Sequence, residues 1–236
     1  VSGATAPFAR SDARRIAEAF LPPHPFGNRF DYYYVRGKVG SDPLYPGVLA
    51  ALRGCDAPVL DLGCGLGLLA HALRHDAQPL AYFGVDNDPD KIARARLAAE
   101  KRGFDRVRFE VMDLARGLPA HRGSVAILDV LQYLDADAQR ALLANAAAML
   151  TPGARLVIRS AIDDDSGRAR TSRTTDRMAQ WIGWMQFRPR SWPTLDRLRA
   201  PLEAAGLQVE SAPLYGNTPF NNWLIVAQRA GAPEPL

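Results

Sequence analysis

Residues 59–67 read Val-Leu-Asp-Leu-Gly-Cys-Gly-Leu-Gly, and few backbone arrangements accommodate that run. An apolar stretch, Val59-Leu60, ends in an acid, Asp61. It then breaks into Gly63, Gly65 and Gly67 and restarts as Leu66, Leu68, Leu69, Ala70 and Leu73. The order predicts strand, tight turn and helix. Glycine adopts conformations closed to other residues and lets a ligand approach the main chain. A turn at the carboxyl end of a strand, beside a helix N-terminus, is where an open α/β sheet binds nucleotides.

Spacing narrows the ligand. A dinucleotide fingerprint needs Gly or Ala at the sixth position of the run, where this chain has Leu68, and the Gly-Lys-Ser/Thr ending of a phosphate-cradling loop is absent. The run resembles motif I of the class I S-adenosylmethionine-dependent methyltransferases, written apolar-acid-x-Gly-x-Gly-x-Gly. That resemblance implies that Asp61, Gly63, Cys64, Gly65 and Gly67 hold the methionine part of S-adenosyl-L-methionine, the product being S-adenosyl-L-homocysteine.

Later positions extend the likeness. Residues 80–85 read as a second buried strand ending at Asp86, nineteen residues beyond Gly67. An acid at about that interval meets ribose hydroxyls. The resemblance assigns Asp86, with Asn87 beside it, to the ribose. Asp88 before Pro89 reads as a helix N-cap with proline in the first turn. A third strand, 106–112, leads to Met112 and Asp113, which the resemblance places on the adenine ring and its amino group. A fourth, 123–128, leads to Asp129-Val130, which the resemblance places at the border of cofactor and acceptor, and to Gln132 and Tyr133, which it makes candidates to line the acceptor side. Many relatives carry His where this chain has Gln132, and glutamine cannot serve as a general base.

The 236 residues fit one α/β domain, with 47% hydrophobic and 23% charged residues, which are globular values. No apolar run is long enough to span a bilayer, and residues 1–10 lack a signal pattern. Two cysteines give no disulfide framework, so a cytoplasmic protein is expected. His71 and His75 lie four apart without the Glu of a metalloprotease helix, so they read as surface or packing residues and no metal site is expected.

Strands and helices alternate from 58 to about 160, which predicts a doubly wound, Rossmann-like, mostly parallel sheet with helices on both faces. Helices are expected at 66–75, 89–102 and 136–150, and further strands at 154–160, 206–212 and 222–229. The resemblance implies seven strands, the last inserted antiparallel between the fifth and sixth. A single methyltransferase domain over 1–236 is expected. It divides into an N-terminal cap (1–54), a cofactor-binding core (55–160), a lid insertion (161–200) and a C-terminal helix and hairpin (201–236).

The insertions bear on the acceptor. Tyr32, Tyr33 and Tyr34 offer stacking faces and hydroxyls; in a strand, alternate ones would face the pocket and the core. Arg36 and Lys38 are positioned to steer an anionic acceptor, and Asn217, Asn221 and their neighbours to orient one or merely to shape a turn. Residues 166–200 carry eight arginines against two aspartates, interleaved with Trp181, Trp184, Phe187 and Trp192. Met178, Trp181, Ile182 and Met185 recur at helical spacing, so a lid helix with a solvated basic face is expected. Contact with an acidic carrier protein or a membrane surface is the next reading, and nucleic acid the last.

The segment 31–38 (Asp-Tyr-Tyr-Tyr-Val-Arg-Gly-Lys), with Asn-Thr-Pro-Phe-Asn-Asn at 217–222, resembles methyltransferases of bacterial aryl-polyene pigment clusters. This implies secondary metabolism and a phenolic or polyketide-type small-molecule acceptor, free or carrier-bound. A phenol is mostly neutral near pH 7, so some group must accept or share its proton. Asp129, His24 and Tyr33 are the candidates. The alternatives are a non-catalytic S-adenosylmethionine-binding subunit and a nucleic-acid methyltransferase.

Overall fold

The computed structural model describes residues 5–164 and 191–229. Three helices come first: α1 (Arg10–Ala17), α2 (Phe30–Ser41) and α3 (Leu44–Leu52). The alternating part follows: β1 (Val59–Leu62), α4 (Leu68–His75), β2 (Tyr82–Asp86), α5 (Pro89–Lys101), β3 (Val107–Val111), β4 (Ser124–Leu128), α6 (Ala136–Met149) and β5 (Arg155–Ala161). The chain closes with α7 (Leu195–Ala204), β6 (Leu207–Pro213) and β7 (Asn222–Arg229).

The seven strands run β3-β2-β1-β4-β5-β7-β6, parallel except for β7, which pairs antiparallel with both β5 and β6. Every residue of β1 is buried, because helices cover both faces. The two-residue period of a strand then sorts its side chains. Val59 joins Ala126 and Val157 in the layer under α1–α5, while Leu60 and Leu62 join Ile127, Leu156 and Ile158 in the layer under α6 and α7. Strand order reverses between β1 and β4, and the crevice outside the carboxyl ends at that point is where such sheets take ligands.

Local chemistry sets the helix starts. The Asp88 side chain accepts from the Asp90 and Lys91 amides with Pro89 in the first turn of α5, and Asp135 accepts from Ala138 at the start of α6.

The tyrosine segment is helical, not extended. Val35 and Val39, four apart, are fully buried, and Gly40 leaves only 3.2 Å between a notional Cβ and Ala13 of α1, so the two helices approach closely. Burial of one helical stripe overrides the strand preference of consecutive aromatics. The three tyrosines are therefore spread around a helix instead of split between two faces of a strand: Tyr32 and Tyr34 pack partly on the core and Tyr33 points outward, 57% exposed. Residues 165–190, with most of the expected lid, lie outside the described residues.

Candidate functional site

The glycine turn folds back over the end of β2. The amides of Gly63 and Cys64 both donate to the Val85 carbonyl, at 2.8 and 2.9 Å, and Gly67 donates to Cys64 at 2.9 Å. Gly65 differs from its neighbours. Its φ is +54°, and a Cβ there would meet nothing within 4 Å, so bare backbone faces open space. At Gly63 a Cβ would strike Val130 at 2.4 Å, which fits β4's exit loop against the turn. The Cys64 thiol is pushed well up by burial, with Asp61 and Asp86 nearby, which keeps it protonated and unreactive.

Asp86 sits beside the opening. Its Oδ2 accepts from the Gly65 amide at 2.9 Å and its Oδ1 from Asp88 at 3.0 Å. Each carboxylate oxygen has a further lone pair, enough for two vicinal hydroxyls. Asn87 is exposed next to it. Across the crevice Met112 is half-buried against the second apolar layer, its amide held by the Asp86 carbonyl at 2.9 Å. Asp113 is exposed, and its Oδ1 accepts from Ala115 at 3.0 Å.

Asp61 lies under the turn, 2% exposed. Tyr82 donates to its Oδ2 at 2.6 Å, while Oδ1 is buried with no partner among the described residues. Burial pushes this carboxyl up to about 7; the Tyr82 hydrogen bond opposes that rise and the Asp86 charge adds to it. Tyr82, which sequence reasoning missed, is itself pushed up by burial and by Asp61.

The carboxyl ends of β4 and β5 carry a charge cluster that the sequence reading also missed. Arg159, 2% exposed, donates through Nη2 to both oxygens of Asp42 at 3.1 and 3.0 Å and through Nη1 to Asp129 Oδ2. Lys38 of α2 pairs with Asp42 at 2.6 Å and with Asp129 at 3.4 Å. Burial alone would lower the Lys38 and Arg159 values, but Asp129 and Asp42 hold both above their ordinary positions. Burial would likewise raise Asp42, yet Arg159 and Lys38 bring it below its usual value. Lys38 is therefore committed to ion pairs and is not a free steering cation. The available signal was Arg159 itself, a cation inside an apolar strand.

Asp129 holds a φ of +59°, uncommon outside glycine. Its amide donates to the Arg159 carbonyl at 2.9 Å and its carbonyl accepts from Gln132 Nε2 at 2.9 Å. Buried Gln132 keeps Oε1 without a partner among the described residues. Tyr133 follows half-buried in the same short turn, Leu131–Tyr133.

The remaining predicted residues stand apart from this cluster in kind. His24 is exposed on the loop before α2, and Arg36 and Asn217 are exposed as well. Asn221 is buried and serves the scaffold. Its amide donates to the Ile162 carbonyl at 3.0 Å and to Asp164 at 2.9 Å, tying the start of β7 to the end of β5. Orienting an acceptor through those same protons would break that tie.

The crevice suits a ligand with a diol and a cationic, phosphate-free tail. It offers open backbone at Gly65, the Asp86 carboxylate and a buried, unpartnered Asp61 oxygen. The seven-stranded architecture is one shared with solved methyltransferase structures. Residues 59–153 match the family described as the methyltransferase domain. No curated protein matches the chain in sequence.

Solved structures share the fold. One is the magnesium protoporphyrin IX methyltransferase of Synechocystis with bound S-adenosylhomocysteine, at 20% identity and a TM-score of 0.63, covering 93% of this chain and 94% of that one. Another is an O-methyltransferase family protein of Burkholderia thailandensis, at 22% identity and 0.64, covering 94% and 69%. A third is the O-methyltransferase family 2 protein of Planctomyces limnophilus in complex with apigenin, at 17% identity and 0.64, covering 92% and 66%. The chain thus spans about two thirds of the length of the last two.

Proposed function

We propose that this protein transfers the methyl group of S-adenosyl-L-methionine to a small phenolic or polyketide-type acceptor. The observation that carries the reading is the Gly65 turn, open above its backbone and held at 2.9 Å by the Asp86 carboxylate. Asp86 would take the ribose, the turn and Asp61 the methionine end, and Met112 with Asp113 the adenine. The bound cofactor supplies an electrophilic methyl on a sulfonium. What the chain contributes is alignment at near-attack distance and exclusion of water, each worth several kcal/mol in principle.

The acceptor would lie beside Asp129, Gln132 and Tyr133, under Tyr32 and Tyr34 of α2. The unpartnered Gln132 Oε1 is suited to accept a hydrogen bond from an acceptor hydroxyl, which fixes the attacking oxygen without removing its proton. Asp129, held by Arg159 and Lys38, fixes the turn that presents Gln132. Apigenin, found with one similar structure, is itself a phenol, which supports this acceptor class.

Methyl transfer from radiolabelled cofactor to a panel of free and carrier-bound phenols tests the proposal. Turnover on at least one member is expected. Tight cofactor binding with no turnover on any would instead favour a non-catalytic binding subunit.

A further inference from the structure

Asp61 raises a question of charge. Its carboxyl group is sealed from solvent, with one oxygen bonded to a neutral hydroxyl and the other bonded to nothing described. The titratable groups around it are Tyr82 on β2, Tyr45 on α3, Cys64 in the turn and Asp86 at the end of β2. None of these supplies a positive charge, and Asp86 opposes a second negative one. An ionised carboxylate in such a place bears a large desolvation cost with nothing to offset it. A neutral carboxylic acid fits, with its carbonyl oxygen accepting from Tyr82.

An arriving cation changes that balance. We propose that Asp61 is protonated in the ligand-free protein and loses that proton to solvent when the cofactor's methionine ammonium seats against its unpartnered oxygen. The O–H bond of the acid breaks, the proton leaves to buffer, and the carboxylate so formed pairs with the ammonium. No electron transfer is involved. Cofactor capture is then coupled to pH through one buried group. This rests on the cofactor reading above and adds to it a residue-level proton count.

The raised position to which burial moves this group, about 7, sets the window. At pH 6 close to one proton per bound cofactor should be released, and apparent affinity should rise roughly tenfold per pH unit between about pH 5 and 6.5. The ligand's own α-amino group, with a pKa of about 7.7–8.0, is fully charged there and adds nothing to the count.

The experiment is titration calorimetry of the full chain with S-adenosylhomocysteine at pH 6, in two buffers of different ionisation enthalpy. The difference in observed heat gives the protons exchanged. 5′-Methylthioadenosine, which keeps the nucleoside but lacks the amino-acid tail, should bind with no proton release. Asp61→Asn should bind S-adenosylhomocysteine more weakly, again with no release. Equal heats in the two buffers for the wild-type protein would overturn the proposal while leaving the cofactor reading intact. Release of the same size with 5′-methylthioadenosine would overturn it too, by placing the proton elsewhere. Failure of the wild-type protein to bind S-adenosylhomocysteine at all would instead defeat the cofactor reading.

Discussion

Replacing Arg159 with Met keeps an aliphatic stem of similar length in the sheet but removes the guanidinium that joins Asp42 to Asp129. Breaking a buried pair from one side typically costs about 3–5 kcal/mol, because the abandoned charge stays buried. Two features place this case near the lower bound. The Asp129 side chain is 30% exposed and so partly solvated, and Lys38 remains 2.6 Å from Asp42. A loss of about 3 kcal/mol is expected, which for a chain of this size lowers the melting temperature by roughly 6–12 °C.

The pH dependence gives a second, independent check. In the wild-type protein Asp42 titrates below its ordinary value, so its stabilising contribution is present above about pH 4 and lost as pH falls through the lowered value. In Arg159→Met, burial is no longer offset by the guanidinium and Asp42 moves upward. Protonating it then relieves the stranded charge. The stability gap between wild type and variant should therefore narrow from pH 8 to pH 5. Urea unfolding monitored by circular dichroism at both pH values measures it. Asp42→Asn added to Arg159→Met should restore at least about 1 kcal/mol relative to the sum of the single changes. A loss under about 1 kcal/mol, a gap that widens in acid, or strict additivity would refute the reasoning.

Gly65→Val should leave the fold cooperative while lowering cofactor affinity at least tenfold in calorimetry. Its side chain enters open space above the turn, and the left-handed backbone adds a strain of about 1–2 kcal/mol. Asp86→Ala should weaken cofactor binding by about 1–3 kcal/mol, measured the same way; unchanged affinity would remove Asp86 from the site. Gly84→Val should unfold or strongly destabilise the chain in thermal melts, since even a Cβ there meets Cys64 Sγ and Phe109 at 2.8 Å. Asp61 titrates upward to about 7 on folding, so its favourable contribution is full below pH 4 and disappears as pH rises to about 7. Ligand-free Asp61→Asn should lack that component, roughly 2–3 kcal/mol, when unfolding free energy is compared at pH 5 and pH 8.

The sheet was legible because its strands carry local signals. Val59-Leu60, 123–128 and 154–160 are short apolar runs, each closed by a turn or an acid, and burial on both faces requires such runs. The cofactor side was legible for a related reason: the glycine run and Asp86 belong to one local strand-turn-helix geometry. What escaped was assembled from distant residues. Asp42 and Arg159 are 117 positions apart, and neither has a neighbour in sequence that announces the other. Tyr82 reads as one more aromatic in a strand until β2 is laid beside β1, bringing its hydroxyl onto Asp61. The state of the tyrosines of α2 was not legible because strand preference is local, whereas the contact with α1 that makes them helical is not.

The Arg159 cluster bears on how the N-terminal helices and the sheet depend on each other. Asp42 and Lys38 reach the sheet from the N-terminal helices, while Arg159 belongs to the sheet itself. Trimming away or transplanting those helices would strip the buried Arg159 guanidinium of Asp42 and leave it only the partly exposed Asp129. Any engineered exchange of that segment to retarget the acceptor must therefore carry a matching acid with it, or replace Arg159 in the same step.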